Sequence, residues 1–444
     1  MTFLSPVRSS PVKLILIVVA YTMIPVSLVA AVLLAGRQEP PDSVRLANLA
    51  VGKVGLDSAT LVFKSDANLL TVEFGPASGD FSEPAGLKRI SGTLGADGLF
   101  RYEVRLDGLS PSSSIRYRIT DNAGSVIVEN SFRTARNPGE SYSYGVISDG
   151  HGASLTVEPP PAVFGRMMEQ MAAEDLDLAF HAGDFTIICR GRPGYPDDTL
   201  GQIEDKYNAF FEVGMEFTAS TPLYAVAGNH EEIGYKPGKT AFEQQFAMPE
   251  NQGPDSVKFA EEYYSFDNGD THFIVLCSDC WEDGYKKQVG PKQMEWLEDD
   301  LQRVDSEDRS AGRQRWKVVV IHKPLFRNNL VPEIDNRDRL HELFASYGID
   351  VVFQGHAHYY SRHYRDGVYY VTSGGGGGNT LFPPDCGSEA YPGDVTACTS
   401  QFIKVDQAPR LMTVSSIQCD GGMETVQGKC EGALLDSFTL TKSG

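Results

Sequence analysis

Five runs of apolar, β-forming residues each end abruptly in side chains that can bind metal ions, and no other feature of the chain constrains its fold as strongly. The runs are Tyr144–His151, Leu178–Asp184, Leu223–Glu231, Val318–His322 and Val351–His358. Apolar strands that alternate with helical segments are typical of a layered α/β domain. Residues just beyond the carboxyl ends of such strands converge on one crevice. We therefore expect the five ends to meet at the edge of a single sheet.

The side chains at these five ends are suited to a particular class of metal ion. Six of the nine histidines in the chain fall inside the runs. Imidazole, carboxylate and amide oxygen without thiolate favour Mn, Fe or Zn. One histidine at a strand end is more often a hydrogen-bonded structural residue, but core packing does not explain the whole set. The candidate ligands are Asp149, His151, Asp184, Asn229, His322, His356 and His358.

Helices are predicted where apolar residues recur at spacings of three or four. These segments are Ala162–Ala173, Ile203–Glu216, Pro291–Val304 and Asn336–Ser346, the last followed by a buried strand at Ile349–Phe353. The low-complexity run Gly374–Gly378 is predicted to be a tight backbone turn. A nucleotide-binding loop is less favoured, because no Lys-Ser/Thr pair follows the run.

Residues 44 to 135 have a different pattern of short strands separated by turn residues. The predicted strands are Thr60–Phe63, Leu70–Phe74, Tyr102–Leu106, Ile115–Ile119 and Ser125–Val128. Their spacing indicates a small β-sandwich. It contains no candidate catalytic cluster, so we interpret it as a packing or spacing module.

An uncharged stretch from Leu14 to Gly36 follows Arg8 and Lys13 near the N-terminus. About 20 apolar residues span a bilayer as a helix, whereas a cleaved signal peptide has an apolar region of about 7–15 residues. Length therefore favours a retained transmembrane anchor, with cleavage after Ala31 as the alternative. The basic residues ahead of the segment predict that the catalytic portion lies outside the cytoplasm, either periplasmic or extracellular.

Seven cysteines are present, and four of them crowd the C-terminal loops. In an exported chain these could form two short-range disulfides, for example Cys386–Cys398 and Cys419–Cys430, although the sequence does not fix the connectivity. Cys277 and Cys280 form a Cys-x-x-Cys without a second copy. We expect buried free cysteines at the end of a strand there, rather than a zinc or redox site.

The formal net charge of −20 bears on the partner. An acidic surface without a basic stripe repels polyanions, so we expect no nucleic acid partner. A small phosphate ester would need its charge offset inside one cleft, and metal ions would serve there. The oligomeric state is not indicated by the sequence.

The order of these motifs resembles the calcineurin-like metallophosphoesterases, and most closely their purple acid phosphatase branch. Gly228–Glu231, Gly355–Arg362 and Leu435–Leu440 are similar to signatures of that branch. The resemblance implies an α/β catalytic domain, a four-layer β-sandwich flanked by helices, at residues 138–444. It also implies a fibronectin type III-like all-β domain at residues 41–137, behind an N-terminal anchor or signal segment at residues 1–40.

The resemblance implies that two metal ions (Fe, Zn or Mn) bind a shared hydroxide that attacks the phosphate ester. One ion would be held by Asp149, His151, Asp184 and His358, and the other by Asp184, Asn229, His322 and His356. Asp184 would bridge them. His230 would donate a hydrogen bond to the phosphate or a proton to the leaving oxygen.

The sequence departs from the purple enzymes at three positions. Ile187 stands where they have the tyrosine that binds ferric iron, and His151 supplies an Asp-x-His that they lack. Ser361 replaces a glutamate in the last motif. These departures imply a site without the purple colour and leave the substrate preference of the family open.

Several alternatives remain open. An acid-phosphatase-like phosphomonoesterase is the preferred function. A phosphodiesterase acting on a cyclic nucleotide or lipid head group, or a membrane-tethered binding protein with an inactive scaffold, are the alternatives. His181 is equally compatible with orienting a ligand and with a plain core position. Arg190 and Arg192 could touch substrate phosphate, although a solvated loop is favoured.

Overall fold

The computed structural model describes residues 44–79, 81, 86–151, 160–250, 261–280, 288–327, 333–377, 393–419 and 432–442. The predicted anchor Leu14–Gly36 lies outside these ranges. Among the described residues, no helix combines the length and apolar character needed to cross a membrane.

The N-terminal region is a sandwich of two four-stranded antiparallel sheets. In sheet order, the first contains β1 (Leu46–Gly52), β2 (Ser58–Ser65), β6 (Phe100–Asp107) and β5 (Thr93–Leu94), and the second contains β4 (Gly86–Ser91), β3 (Leu69–Pro76), β7 (Ser114–Thr120) and β8 (Val126–Arg133). Alternation places Tyr102, Val104 and Leu106 of β6 in the core. All five predicted strands are confirmed, whereas β1, β4 and β5 were not predicted.

Two further sheets form the layered α/β domain. The six-stranded sheet has the order β11 (Leu223–Ala225), β10 (Leu178–His181), β9 (Tyr142–Ile147), β19 (Gln401–Gln407), β20 (Leu411–Gln418) and β21 (Ala433–Thr441). The seven-stranded sheet has the order β12 (Tyr264–Asn268), β13 (Thr271–Leu276), β14 (Trp316–Ile321), β15 (Val351–Gln354), β17 (Val368–Ser373), β16 (Tyr360–Arg365) and β18 (Val395–Ala397).

The inner faces of these two sheets pack against each other through aromatic side chains. The ring of Tyr144 on β9 lies 5.1 Å from that of Phe273 and 6.2 Å from that of Phe353 in the opposite sheet. The five metal-competent ends therefore come from two sheets, and the expectation of a single sheet was wrong. The sequence pattern could not reveal this, because a buried strand has the same apolar pattern in either sheet.

Helices cover the outer faces of both sheets. The described helices are α1 (Ala162–Ala173), α2 (Leu200–Thr218), α3 (Lys236–Gln245), α4 (Pro291–Ala311) and α5 (Arg337–Ser346). Helix α2 begins with a capping box between Thr199 and Gln202. The prediction ended α4 seven residues early because its last two turns carry no apolar face. The polar helix α3 was not predicted for the same reason.

The β-sandwich is joined to the α/β domain by buried hydrogen bonds. The hydroxyl of Tyr117 donates to the carbonyl of Ala219 at 2.7 Å, and that of Tyr224 donates to the carbonyl of Val54 at 3.1 Å. Asn48 on β1 donates to side chains on both α2 and α3. The sandwich thus packs on helices that flank the six-stranded sheet, in agreement with its interpretation as a packing module.

One cysteine prediction was wrong. Cys277 and Cys280 form a disulfide, which closes a short loop after β13. Cys189 is the free cysteine among the described residues. Cys398 and Cys419 are both disulfide-bonded. Their predicted partners, Cys386 and Cys430, lie outside the described residues.

Candidate metal centre

All seven candidate ligands lie just beyond the carboxyl ends of strands, where the two sheets meet. Asp149 and His151 follow β9, Asp184 follows β10, Asn229 follows β11, His322 follows β14, and His356 and His358 follow β15. Strands β9, β10 and β11 are parallel, as are β14 and β15. Parallel pairing puts the carboxyl ends in each sheet at the same edge, and the packing of the sheets brings the two edges together.

The ligand atoms form three overlapping groups, in each of which they lie within 4.8 Å of one another. These groups are Asp149, His151 and His358; His151, Asp184 and His230; and Asp184, His322 and His356. Asn229 adjoins the third group, because its Oδ1 lies 3.1 Å from Nε2 of His322. The shared residues His151 and Asp184 make the groups one continuous cluster.

Asp149 is fully buried on one side of the cluster. Its Oδ2 accepts hydrogen bonds from the backbone N–H of His356 at 2.9 Å and from the hydroxyl of Ser148. Its Oδ1 lies 3.4 Å from Nε2 of His358. Burial raises the pKa of Asp149, but the adjacent His358 outweighs that effect and the net pKa lies below the ordinary value. A charged oxygen is therefore directed into the cluster.

Asp184 occupies the middle of the cluster. Its Oδ1 accepts from the backbone N–H of His230 at 2.8 Å, and its Oδ2 lies 3.2 Å from Nε2 of His322. Nδ1 of His322 lies 2.8 Å from the carbonyl of Ala182 and donates to it. In a neutral His322, Nε2 would then present a lone pair toward the oxygens of Asp184 and Asn229. Three acceptors that face one another require a cation between them.

In the protein alone, a proton on His322 can supply that positive charge. Burial opposes protonation, but the charge of Asp184 prevails and raises the pKa of His322 to about 10. His356 has the opposite behaviour, because burial lowers its pKa to about 4 and leaves the ring neutral. Carboxylates, amide oxygen and imidazole without thiolate fit divalent Zn, Mn or Fe. The residues present therefore fit a metal pair.

Three of the candidate ligands adopt left-handed backbone conformations that L-residues rarely populate. The φ angles are +59° for Asp149, +58° for Asp184 and +66° for His356. Such conformations cost about 1–3 kcal/mol each and persist only where the surroundings enforce them. The backbone N–H of Asp149, for example, donates to the carbonyl of Gly183 at 3.0 Å. Hydrogen bonds of this kind hold the ligand-bearing turns, and the same conformation also occurs away from the cluster, for example at Asn48 and Asp366.

Glu231 stabilises the turn that carries Asp184. Its carboxylate is fully buried and accepts hydrogen bonds from the backbone N–H groups of Asp184 at 2.8 Å, Phe185 at 2.9 Å and Gly228 at 2.7 Å. Burial, together with the charge of Asp184, raises the pKa of Glu231 to about 8. Sequence reasoning quoted Glu231 within a motif but gave it no role, because its partners are backbone groups of a different strand end.

Gly228 allows the Asp184 and Asn229 loops to approach each other. A Cβ at this position would lie 2.2 Å from Oδ1 of Asp184 and 2.5 Å from its backbone nitrogen. Gly376 has a similar function, since its Cβ would lie 1.8 Å from the carbonyl oxygen of Ser148. The glycine run is therefore a segment of close backbone approach beside the cluster.

Two other histidines near the cluster differ in their surroundings. The side chain of His230 is 26% exposed, and its Nε2 lies 3.9 Å from Oδ2 of Asp184. It is therefore placed at the open side of the cluster. His181 is buried, stacks on Phe185 at 3.8 Å, and makes no hydrogen bond with any described residue. Burial lowers its pKa to about 3, so His181 is a plain core histidine.

The three departures from the purple enzymes have clear positions. Ile187 is buried beside the Asp184 turn, where its apolar side chain cannot bind a metal ion. Ser361 is fully buried on β16. His151 lies with Asp149 and His358 in the first group of ligand atoms.

A buried ion pair next to His322 was not anticipated. Nζ of Lys323 contacts Oδ1 of Asp279, and both side chains are more than 90% buried. Ser278 links the two residues, because its hydroxyl donates to Asp279 at 2.8 Å and accepts from the backbone N–H of Lys323. No local pattern identifies this pair, since its members follow different strands.

The fold and the cluster together define a class of protein. Residues 142–360 match the sequence model of the calcineurin-like phosphoesterase family, a range that includes every candidate ligand. The chain therefore contains a domain similar to the calcineurin-like phosphoesterases, and its sequence is similar to the purple acid phosphatases.

The relatives support the narrower similarity. Purple acid phosphatase 23 of Arabidopsis thaliana is 27% identical over 292 residues, covering 60% of each chain. Acid phosphatase type 7 of Mus musculus is 26% identical over 219 residues, covering 46% of this chain and 44% of the relative. The chain thus spans about half of the length of these curated relatives.

A solved structure of PhoD has the same fold. It superimposes with a TM-score of 0.66, covers 91% of this chain and 92% of its own, and is 14% identical in sequence. At this identity the likeness concerns the fold alone.

Replacing Gly228 by Ala tests how the cluster is assembled. The added methyl group would collide with Asp184, so we expect the variant to bind far less zinc or manganese than the wild type, which should hold about two equivalents. Metal content after dialysis, measured by mass spectrometry, gives the result. Gly55→Ala is the control, because the nearest atom to its Cβ would lie 3.7 Å away. Equal metal content in wild type and Gly228→Ala would contradict this account.

Proposed function

We propose that the protein hydrolyses phosphate monoesters with the help of two divalent metal ions bound at this cluster. The convergence of three overlapping ligand groups where the edges of the two sheets meet carries the proposal. One ion would be held by Asp149, His151, Asp184 and His358, and the other by Asp184, Asn229, His322 and His356. When bound, such a pair supplies Lewis acidity and an activated water at neutral pH.

Side chains of the protein would assist the bond-breaking step. A water molecule first gives up a proton to solvent, and the oxygen of the resulting hydroxide would form a bond to phosphorus while the bond from phosphorus to the ester oxygen breaks. The leaving oxygen takes a hydrogen bond or a proton from His230, which lies on the open side of the cluster. Burial lowers the pKa of His230, so the free ring is neutral and still has one N–H to donate. A bound phosphate dianion beside the ring would favour its protonated form.

Preference for monoesters is supported by the names of the relatives. They include purple acid phosphatases, acid phosphatase type 7 and a phosphoenolpyruvate phosphatase from Allium cepa. A phosphodiesterase and an inactive binding scaffold are the competing functions. All seven candidate ligands and His230 are present, which argues against the inactive scaffold.

Asp184→Asn tests the central ligand. We expect turnover of p-nitrophenyl phosphate to fall at least about a thousandfold, because the amide removes the charge that faces both halves of the cluster. Steady-state rates with added zinc, manganese or iron, for p-nitrophenyl phosphate and bis-p-nitrophenyl phosphate, give the answer. Comparable rates in wild type and Asp184→Asn would reject the proposal, and a preference for the diester would favour the phosphodiesterase. Circular dichroism checks that the variant is folded.

His230→Gln tests the proton donor separately from metal binding. We expect kcat to fall by about 10²–10⁴-fold for an alkyl phosphate, whose leaving oxygen needs a proton. The loss should be smaller for p-nitrophenyl phosphate, whose leaving group is stable as an anion. His181→Gln is a control for a histidine near the cluster that has no proposed chemistry. An equal loss on both substrates, or loss of the metals, would exclude the role as proton donor.

We also propose that the N-terminal sandwich is fibronectin type III-like and that the protein acts outside the cytoplasm. Two packed four-stranded sheets support the former. The disulfide between Cys277 and Cys280 supports the latter, because disulfides persist in oxidising compartments. If so, protease added to intact cells should digest the α/β domain, or the protein should appear in the periplasmic or secreted fraction. Recovery with cytoplasmic markers would contradict this localisation.

A further inference from the structure

The loop between β10 and α2 is fixed against the segment that carries His230. The backbone N–H of Ile188 donates to the carbonyl of His230 at 3.0 Å. The Asp198 carboxylate accepts from the backbone N–H of Cys189 at 2.6 Å and from Lys206 at 2.6 Å. The hydroxyl of Tyr235 donates to the Asp198 carbonyl at 2.9 Å. The loop that carries Arg190 and Arg192 is therefore held against the segment that carries His230.

Arg190 has its charge balanced by the protein itself. Its Nη1 lies 3.6 Å from Oε2 of Glu232, and its guanidinium lies 5.1 Å over the ring of Tyr235. The buried cation next to the cluster, Lys323, is likewise paired with Asp279. The charges of Arg190 and Lys323 are therefore offset by protein carboxylates rather than available to bind an anionic ligand.

Arg192 differs from both. Its side chain is exposed, and it makes no ion pair with any residue that the structure describes. A turn holds its backbone, since the N–H of Gly191 donates to Asp197 at 2.7 Å and the N–H of Tyr195 donates to the carbonyl of Arg192 at 3.1 Å. The loop is bonded to the His230 segment at Ile188, and Arg190 contacts Glu232 two residues beyond His230, so Arg192 lies on a turn next to that segment.

A cation that forms no ion pair with the described residues is informative at this place, because the chain as a whole carries a net charge of −20. Two metal ions would neutralise the reacting phosphate without help from Arg192. The leaving group would lie on the same side as His230, which protonates the leaving oxygen. Arg192 is thus placed to meet the leaving group, and a guanidinium binds a carboxylate or phosphate through a fork of two hydrogen bonds.

We propose that Arg192 selects phosphate monoesters whose leaving group carries a second anionic group, a carboxylate or another phosphate. This inference rests on the proposed function, since it takes the position of the leaving group from the role of His230. The protein would then discriminate among substrates mainly through contacts on the leaving-group side.

Two substrates that differ at one group provide the test. 3-Phosphoglycerate and glycerol 3-phosphate share the scissile ester and differ only in a carboxylate against a hydroxymethyl group. A hydrogen-bonded charge pair contributes about 1.5–3 kcal/mol, so we expect kcat/KM of the wild type to favour 3-phosphoglycerate by about tenfold or more. Glycerol 1,3-bisphosphate, compared in the same way, shows whether a second phosphate serves as well as a carboxylate.

Variants of Arg192 then assign the preference to this side chain. Arg192→Gln should reduce the ratio of the two kcat/KM values about tenfold, and Arg192→Lys should retain part of it. Arg339→Gln is the matched control, because Arg339 is an exposed arginine paired with Glu298 on the outer helices. Its ratio should equal that of the wild type. An unchanged ratio in Arg192→Gln, or no preference in the wild type, would overturn the inference.

Failure of the proposed function has a different signature. If the metal-loaded wild type releases no phosphate from any ester, the proposed hydrolysis is wrong. Calorimetric binding of 3-phosphoglycerate to wild type and Arg192→Gln still tests the inference in that case. Weaker binding in the variant supports it, and equal binding overturns it.

Discussion

The structure depends on two buried carboxylates, Asp149 and Asp184, that lie next to several histidine side chains. Neither is more than 1% exposed, and the pKa of each is lowered despite the burial that opposes ionisation. Two buried negative charges repel each other and lose their hydration, which costs several kcal/mol per ion unless cations offset it. Positive charge next to Asp149 and Asp184 is therefore needed for the stability of the fold as well as for the proposed hydrolysis.

The supporting residues follow from the same requirement. The carboxylates must face inward, and the backbone reaches that geometry only by placing Asp149, Asp184 and His356 in left-handed conformations. Glu231 secures the Asp184 turn by accepting three backbone N–H groups at 2.7–2.9 Å. The backbone also has to come close at Gly228, where a Cβ would touch Asp184. The candidate ligands, the acceptor Glu231 and Gly228 thus depend on one another for their positions.

The sequence predicted which side chains come together in the candidate metal centre because strand ends carry a local signal, an apolar run followed by a metal-competent side chain. It also located helix α1 to the residue, since the apolar spacing of Ala162–Ala173 persists to both ends. It placed the ends in one sheet because local patterns do not specify which strands pair. It missed the Cys277–Cys280 disulfide, because the same motif fits a free strand end. Glu231 and the Asp279–Lys323 pair were missed because their partners are distant in sequence.

The distribution of charge around the cluster links metal binding to substrate choice. Lys323 and Arg190 are paired with Asp279 and Glu232, so the walls of the site contribute no net charge through them. The reacting phosphate would then be bound mainly by the metal ions and His230. Selectivity for the rest of the substrate would come from contacts that these groups do not make. The loop that carries Arg192 is held to the His230 segment by a backbone hydrogen bond at Ile188, so under the proposed mechanism it would supply such contacts on the side of the leaving group.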